Sequence, residues 1–188
     1  MNKALSEMSL EELWQLFPVQ LAPHNPKWSE WYAEERENVL AAVGDNVARI
    51  DHIGSTSVPG LVAKPIVDIL LQIKPGTTIT DVKARLVADG WLVMAEQPEL
   101  GEIDLNKGYT PDGFEDKVFH LHVKPVGDAD ELHFRDYIAT HPDVAAQYAE
   151  LKQGLLAKFD HDRDGYTNAK TTFIKTATAQ ARVAKQGQ

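Results

Sequence analysis

A strongly apolar stretch in the first half of the chain constrains the fold more than any other sequence feature. Residues 66–73, Ile-Val-Asp-Ile-Leu-Leu-Gln-Ile, are nearly all β-branched residues or leucine, interrupted by Asp68 and Gln72. This composition is typical of a strand that is buried on both faces, because a strand with one solvated face alternates apolar and polar residues. We therefore predict a central strand over residues 65–73, in a sheet that is covered on both sides.

The remaining patterns predict a mixed α/β first part followed by an all-helical last third. Apolar residues at helical spacing, with capping and stop residues, predict helices over residues 9–17, 26–43, 80–88, 128–140, 142–159 and 166–184. Runs rich in β-branched and aromatic residues predict further strands over 47–53, 91–95, 103–109 and 117–124. A polar loop is expected over 160–165, and the length of 188 residues fits one domain.

Composition excludes several classes of protein. The chain has no cysteine, which removes disulfide frameworks, cysteine-zinc sites and thiol nucleophiles. The net charge of −9 argues against bulk non-specific binding to nucleic acid, but it permits a small phosphorylated ligand on a local basic cluster. The sequence also lacks a secretory pattern, a membrane-length apolar run and the GxGxxG, P-loop and GxSxG motifs. We expect a cytoplasmic protein with no membrane partner.

The loop between the first two predicted strands is the most unusual part of the sequence. It contains Gly54-Ser55-Thr56-Ser57, and small residues of this kind allow a ligand to approach the backbone closely. The strand that follows contains Asp68, whose charge is costly in apolar surroundings unless it is paired or binds a metal. Two interpretations stay open from composition alone: a ligand-binding loop, or a Ser/Thr turn with an aspartate that accepts backbone N–H groups.

The seventeen residues from His52 to Asp68, HIGSTSVPGLVAKPIVD, resemble the signature of the GrpB family of small bacterial proteins, which is placed in the nucleotidyltransferase superfamily. Further similar blocks are Trp28 and residues 119–123, 132–137, 148–152 and 166–170, so that the resemblance spans about 19–177. It implies an α/β (α+β) fold with a nucleotidyltransferase-like mixed sheet flanked by helices. It also implies a single GrpB-like domain over 1–188, with an α/β core over 19–125 and a helical C-terminal part over 128–186.

The superfamily pattern implies a phosphate-binding Gly-Ser turn, followed by two acids that flank one apolar residue and bind two Mg²⁺ ions with a third carboxylate. Gly54 and Ser55 match the turn, and Asp68 matches either acid. The other acid then falls on Ile66 or Leu70, so one of the pair is missing. Two functions follow from the resemblance. One is metal-dependent transfer of a nucleotidyl or phosphoryl group to an unknown acceptor, and the other is an inactive module that binds a nucleotide or small anion.

Two histidines form the next candidate group. His120 and His122 are two residues apart in a predicted strand, so they share one face, and with Asp68 they predict a divalent-metal site that prefers Zn²⁺, Mn²⁺ or Fe²⁺ over Mg²⁺. Together with the superfamily pattern, the expected cofactor is a divalent metal, Mg²⁺, Mn²⁺ or Zn²⁺. The alternative is a hydrogen-bonded histidine pair that lines a polar cleft or contacts phosphate. Glu102 and Asp104 are candidates for the missing carboxylate, although a solvated edge strand is the favoured interpretation for them.

Basic residues complete the predicted site. Lys64, Arg135, Lys152 and Lys170 match basic positions of the family blocks, and cations that converge on one cleft suit a phosphate. The alternatives are surface lysines and, for Arg135, a helix salt bridge with Glu131. The predicted catalytic residues are Asp68 and Lys64, and the predicted metal ligands are Asp68, His120 and His122. The predicted nucleotide- or phosphate-binding residues are Gly54, Ser55, Thr56, Ser57, Lys64, Arg135, Lys152 and Lys170.

The expected partner is a nucleotide or another phosphorylated small molecule. The four tryptophans, Trp14, Trp28, Trp31 and Trp91, are predicted to lie in the core. Tyr148 and Tyr166 are expected to pack rather than stack on a base. The sequence does not predict the oligomeric state.

Overall fold

The structure is a computed structural model that describes residues 3–159 and 162–186. Its helices are α1 (Leu10–Leu16), α2 (Lys27–Val43), α3 (Ile79–Ala88), α4 (Asp130–Thr140), α5 (Pro142–Phe159), α6 (Arg163–Ala169) and α7 (Thr171–Gln186). Its strands are β1 (Val47–Ile53), β2 (Val67–Ile73), β3 (Leu92–Gln97), β4 (Glu102–Thr110) and β5 (Gly113–Pro125). Short 3₁₀ turns lie at Leu5–Glu7, Gly44–Asn46 and Ser55–Ser57.

The five strands form one mixed sheet in the order β1-β2-β5-β4-β3. β2 and β5 are parallel, with Asp68 beside His120 and Leu70 beside His122, while the other neighbouring strands are antiparallel. Every residue of β2 except Asp68 is buried. The prediction of a central apolar strand is therefore confirmed, and so is the α+β class with a mixed sheet flanked by helices.

The main hydrophobic core lies on one face of this sheet. Ile69 of β2 and Leu121 of β5 pack there with Trp28 and Val39 of α2 and Leu86 of α3. Side chains alternate between the two faces of a strand, so the residues between these core positions point to the opposite face. That opposite face carries the candidate site.

A second core joins the loop after β1 to the C-terminal helices. Val58 and Leu61 of the loop pack with Phe134 and Ile138 of α4 and with Tyr148 of α5. The loop therefore lies between the sheet and the helical part, and its position depends on both. None of the described helices has the length and apolarity that a bilayer-spanning helix needs.

Two predicted helices differ from the observed ones. α3 begins at Ile79, one residue before the predicted start at residue 80, with Thr78 at its N-cap, where Thr78 Oγ1 lies 2.5 Å from Asp81 Oδ2. The predicted helix over 166–184 is two helices that meet at Lys170. The first of them starts before residue 166 for a local reason, because the Asp162 side chain accepts from Gly165 N at 2.7 Å and caps α6. Residues 160 and 161 of the predicted polar loop lie outside the described residues.

The tryptophan prediction holds for two of the four residues. Trp28 and Trp91 are fully buried. Trp31 is half-buried against the main core, and Trp14 of α1 is half-buried on the wall of a cavity. The prediction that Trp14 is a core residue is wrong, because α1 contains no buried residue.

Candidate functional site

A cavity of about 940 Å³ lies between the open face of the sheet, the loop after β1 and the C-terminal helices. It contains most of the residues that the sequence predicts as a site. Those that line it are Gly54, Ser55, Thr56, Lys64, Asp68, His120, His122, Lys152 and Lys170. The parallel pairing of β2 with β5 and the packing of the loop on α4 and α5 bring these residues together.

Asp68 lies opposite both histidines of β5. Its Oδ1 atom is 3.3 Å from His120 Nδ1 and 4.0 Å from His122 Nε2. The three side chains are 21–33% exposed, so they are accessible from the cavity. The convergence that the sequence predicts for Asp68, His120 and His122 is therefore present in the structure.

The outer nitrogens of the two rings extend this network into β4. His122 Nδ1 lies 2.7 Å from Asp104 Oδ1, and His120 Nε2 lies 2.7 Å from the hydroxyl of Tyr109. That hydroxyl in turn accepts a hydrogen bond from Arg163 at 3.0 Å. Asp104 is solvated as expected, at 44% exposed, but β4 is not an edge strand and the Asp104 carboxylate pairs with a histidine of the site.

Burial and the contacts within this network shift the pKa values of Asp68, His120 and His122 in different directions. Burial opposes ionisation of Asp68, but the adjacent rings of His120 and His122 outweigh it, so the pKa of Asp68 is lowered. Burial likewise lowers the pKa of His120. Burial acts the same way on His122, but its hydrogen bond to Asp104 and the nearby Asp68 carboxylate prevail and raise its pKa to about 10. His122 is thus a cation at neutral pH and His120 is neutral.

The predicted metal site has some, but not all, of the features of a metal-ligand set. A histidine that binds a metal often has its second nitrogen bonded to a carboxylate or hydroxyl, as both rings do here. However, no three His, Asp or Glu residues in the described part of the chain form a group that could hold a metal ion. In this arrangement the donors form a hydrogen-bonded network and do not fit a ligand shell. Metal binding by Asp68, His120 and His122 stays a prediction from the sequence.

The turn after β1 is built around Gly54. Gly54 has φ +70°, and a Cβ atom on it would lie 2.3 Å from Asp68 Oδ2. Glycine is therefore required both by backbone conformation and by the approach of the Asp68 carboxylate. Within the turn, Ser57 Oγ donates to Gly54 O at 2.6 Å, and His52 Nε2 lies 2.9 Å from Thr56 Oγ1.

Three lysines surround this turn from different elements. Lys152 of α5 donates to Ser55 Oγ at 3.0 Å and also to the carbonyl of Val62. Lys170, between α6 and α7, and Lys64 place their ammonium groups 4.5 and 5.7 Å from the centre of the Tyr166 ring. Within residues 3–159 and 162–186, none of the three ammonium groups forms an ion pair with a carboxylate.

Burial lowers the pKa values of all three lysines, and neighbouring cations lower those of Lys64 and Lys152 further. Burial, followed by Lys170 and Arg163, lowers the pKa of Lys64 to about 7, against a weaker attraction from Asp68. Burial, Lys170 and Lys64 lower the pKa of Lys152 to about 7 as well. Burial also lowers the pKa of Lys170. The site thus holds clustered cations whose charge is costly in the free protein.

Two predicted phosphate-binding residues lie elsewhere. The guanidinium of Arg135 donates to Asp51 Oδ1 at 3.2 Å, to His52 O at 3.0 Å and to Asp136 at 2.8 Å, and it does not line the cavity. Arg135 therefore supports the end of β1, and Glu131 pairs with Lys124 instead. Ser57 also stays off the cavity wall, since its hydroxyl closes the turn onto Gly54.

Sequence reasoning missed several residues that line the cavity. Arg163, Tyr109 and Asn106 are all on its wall, and no spacing or motif marks them in the sequence. Tyr166 is fully buried, and its hydroxyl has no hydrogen-bond partner among the described residues. Tyr148 is likewise buried, stacked on Phe173 and placed edge-on to Phe134, which agrees with the expectation of packing.

Fold and site together define a class of protein: a mixed-sheet α+β protein with a cationic cleft between the open sheet face and a C-terminal helical part. The chain belongs to the GrpB family, because the family model described as "GrpB protein" matches residues 18–180.

Named relatives support this membership. The UPF0157 protein of Pseudomonas aeruginosa is 36% identical over 167 residues, which are 88% of this chain and 69% of that protein. The UPF0157 protein YqkA of Bacillus subtilis is 32% identical over 185 residues, and this chain spans 52% of its length.

A solved structure of a GrpB protein shares the fold. A crystal structure of the conserved protein GrpB from Enterococcus faecalis has a TM-score of 0.76 at 28% identity, and the match covers 90% of this chain and all of that one. The Cid1 poly(U) polymerase bound to MgGTP gives a TM-score of 0.48 at 10% identity, over 80% of this chain and 46% of that one. A likeness of that degree supports no conclusion about chemistry.

Proposed function

We propose that the cleft binds the phosphate groups of a nucleotide or another phosphorylated small molecule, on Lys64, Lys152, Lys170 and the turn at Ser55. One observation carries the proposal. Three lysine ammonium groups from separate elements face one cavity without a carboxylate partner among the described residues.

The charges explain why an anion belongs there. Clustered and partly desolvated cations repel one another, so the free protein bears an electrostatic cost that a bound phosphate would relieve. His122 adds a further positive charge on the sheet side of the cavity. The unpartnered hydroxyl of Tyr166 supplies a neutral donor on the same wall.

The turn supplies a surface that such a ligand can approach. Ser55 is the first residue of a 3₁₀ turn, and its hydroxyl accepts from Lys152, so its own hydrogen is available as a donor. Small residues keep this part of the cavity wall open. A phosphate between Ser55, Lys152 and Lys170 therefore meets donors from both the sheet side and the helical side.

Calorimetric titration of the protein with ATP and with inorganic pyrophosphate tests the proposal. We expect the substitution Lys170→Met to weaken binding by about ten- to a hundredfold, the usual range for one charge-assisted hydrogen bond. Lys175→Met is the matched control, because Lys175 is exposed on α7 and does not line the cavity. Equal affinity in wild type and Lys170→Met would contradict the proposal, as would failure of the wild-type protein to bind either anion.

A second candidate function is transfer of a nucleotidyl or phosphoryl group in the same cleft, with Asp68 and Lys64 as the reacting groups. Ile66 and Leu70, the two positions where the missing acid was expected, are both buried apolar residues. Asp104 favours the candidate nevertheless, because it places a second carboxylate next to Asp68 through His122. Its test is release of pyrophosphate or phosphate from nucleoside triphosphates in the presence of Mg²⁺, Mn²⁺ or Zn²⁺. Turnover that Asp68→Asn abolishes would support transfer, and binding without turnover would leave the cleft as a binding module.

A further inference from the structure

The cavity continues beyond the cationic cluster into a region with apolar walls. One wall is α1 with the turn before it, where Leu5, Leu10, Leu13 and Trp14 line the cavity. The edge strand β3 contributes Leu92, Val93 and Met94 to the same lining. We call this region the apolar end, and the region around Lys64, Lys152 and Lys170 the cationic end.

The apolar end has large side chains that the protein leaves uncovered. Leu10 is 56% exposed and Met94 59% exposed, and every residue of β3 is exposed. α1 has no buried residue at all. Monomeric proteins seldom leave such side chains contiguous without a function, because their burial is favourable.

α1 is held beside the cavity by an aromatic contact at its C-terminal end. A helix of seven residues is marginal on its own, so packing must stabilise its position. At its C-terminal end, Phe17 is buried against the rings of Tyr109 and Phe114, with centroids 4.9 Å away in each case. This anchor directs the apolar residues of α1 toward the cavity.

From these walls we infer that the ligand of the cleft is amphipathic: a phosphorylated small molecule with an apolar chain that lies between α1 and β3. The inference rests on the proposed function, since the cationic end must bind the phosphate. The two ends belong to one cavity of about 940 Å³, which is much larger than a phosphate group needs and lies within the size range of small-molecule sites.

Polarity at the apolar end favours a chain over a heterocyclic base. A purine or pyrimidine carries donors and acceptors along its edge that must find partners when they are buried. Ser6, Asn106 and Arg163 are polar side chains near this end of the lining, against at least seven large apolar ones, and Arg163 already donates to the carbonyl of Phe17 and to the hydroxyl of Tyr109. A bilayer is a less suitable source of the phosphate, because Lys152 is 2% and Lys170 9% exposed at the bottom of the cleft.

Calorimetry with two soluble alkyl phosphates tests the inference. Ethyl phosphate reaches only the cationic end, while hexyl phosphate also reaches the apolar end. A fully buried methylene raises affinity about fourfold, so we expect hexyl phosphate to bind at least about tenfold more tightly even when its four additional methylenes are partly buried. Leu13→Ser and Met94→Ser should reduce this advantage and leave ethyl phosphate binding unchanged.

Val183→Ser is the matched control, because Val183 is 70% exposed on α7 and is not part of the cavity lining. Equal affinity for both phosphates in the wild-type protein would overturn the inference and leave the proposed function intact. Absence of binding by both alkyl phosphates would overturn the inference, and the proposed function would fall with it only if ATP and pyrophosphate also failed to bind. Two other results would also overturn the inference: retention on phosphatidate vesicles without hexyl phosphate binding, or a Leu13→Ser variant that changes only the oligomeric state.

Discussion

Lys152 Nζ donates a hydrogen bond to Ser55 Oγ at 3.0 Å, although the two residues are 97 positions apart in the sequence. The bond joins α5 of the helical part to the turn after β1, and Lys152 also donates to the carbonyl of Val62 in the same loop. The lysine is 2% exposed, so the loop and the helix share one buried charge at the bottom of the proposed phosphate site.

Replacement of two of the lysines should separate binding from stability. Lys152→Met removes the donor to Ser55 and Val62, so we expect weaker anion binding and a loss of about 1–3 kcal/mol in the free energy of unfolding. Lys170→Met should also weaken binding, but Lys170 donates no hydrogen bond to a described residue and its charge is costly in the free protein. We therefore expect Lys170→Met to leave the unfolding free energy unchanged or higher. Urea denaturation without ligand checks this difference, and equal destabilisation by both changes would contradict it.

Anion binding should be accompanied by proton uptake. The pKa values of Lys64 and Lys152 are near 7 in the free protein, and a bound phosphate raises the pKa of a neighbouring ammonium group. At pH 8 we therefore expect net proton uptake on pyrophosphate binding, and affinity should fall as the pH rises above about 7. Calorimetry in buffers of different ionisation enthalpy measures the number of protons. An apparent binding enthalpy that is independent of the buffer would contradict the prediction.

The pH dependence of stability is a less direct measure, because two groups of opposite sign contribute. The lysine pKa values are lowered on folding, so between about pH 7 and 10 the unfolded chain binds more protons, and these groups make stability rise with pH. The pKa of His122 is raised on folding. Its contribution is fully present below about pH 6.5 and is lost as the pH rises through about 10.

Gly54 should tolerate no side chain. Gly54→Ala places a Cβ 2.3 Å from Asp68 Oδ2 at a positive φ, so we expect a loss of at least about 1–3 kcal/mol in the free energy of unfolding. Gly154→Ala is the control, because Gly154 lies in α5 with nothing within 4 Å of the added Cβ. That change should be neutral or stabilising by up to about 1 kcal/mol. Thermal unfolding of both variants decides the prediction, and similar melting temperatures for the two would contradict it. Because a Gly54 substitution destabilises the fold, weaker ligand binding in a Gly54 variant would not show that Gly54 itself contacts the phosphate.

Much of the sheet could be predicted, because apolar composition and alternation act over a few residues. The run from Ile66 to Ile73 marked β2, and the spacing of His120 and His122 placed both rings on one face of β5. The lone charge of Asp68 then marked where that face needs a partner. Each of these features depends on a few neighbouring residues, and each is present in the structure.

The rest depends on tertiary packing that no local pattern contains. Arg135 and Lys152 are both basic helix residues of the family blocks, yet one supports β1 and the other reaches Ser55, because α4 and α5 present different faces to the loop. Arg163 reaches the site only through the placement of α6. The position of α1 over the cavity depends on Phe17 and its two aromatic neighbours.

Asp104 should determine the charge on His122. Burial opposes the charged form of His122, but the hydrogen bond to Asp104 and the nearby Asp68 carboxylate raise its pKa. We expect Asp104→Asn to lower the pKa of His122, while Glu102→Gln on the same strand leaves it unchanged, since Glu102 lies near Lys124 instead. Titration of the histidine side-chain NMR signals checks both variants. The same His122 pKa in wild type and Asp104→Asn would show that Asp104 does not stabilise the imidazolium.

Metal binding at Asp68, His120 and His122 is the sequence prediction that the donor geometry favours least. His122 carries a proton at neutral pH between two carboxylates, and a metal at its Nε2 atom would have to displace that proton. We therefore expect millimolar Mg²⁺, Mn²⁺ or Zn²⁺ to leave the melting temperature at pH 7.5 nearly unchanged. A metal bound only by the native state at a hundredfold excess over its Kd would stabilise by about 2.7 kcal/mol, or roughly 5–11 °C in a chain of this size. A rise of that magnitude that is lost in His120→Ala, but kept in His141→Ala outside the cavity, would contradict our expectation and restore the metal site. The pH dependence of such a rise would then identify the ligand, because protonation of His122 competes with metal up to a much higher pH than protonation of His120 does.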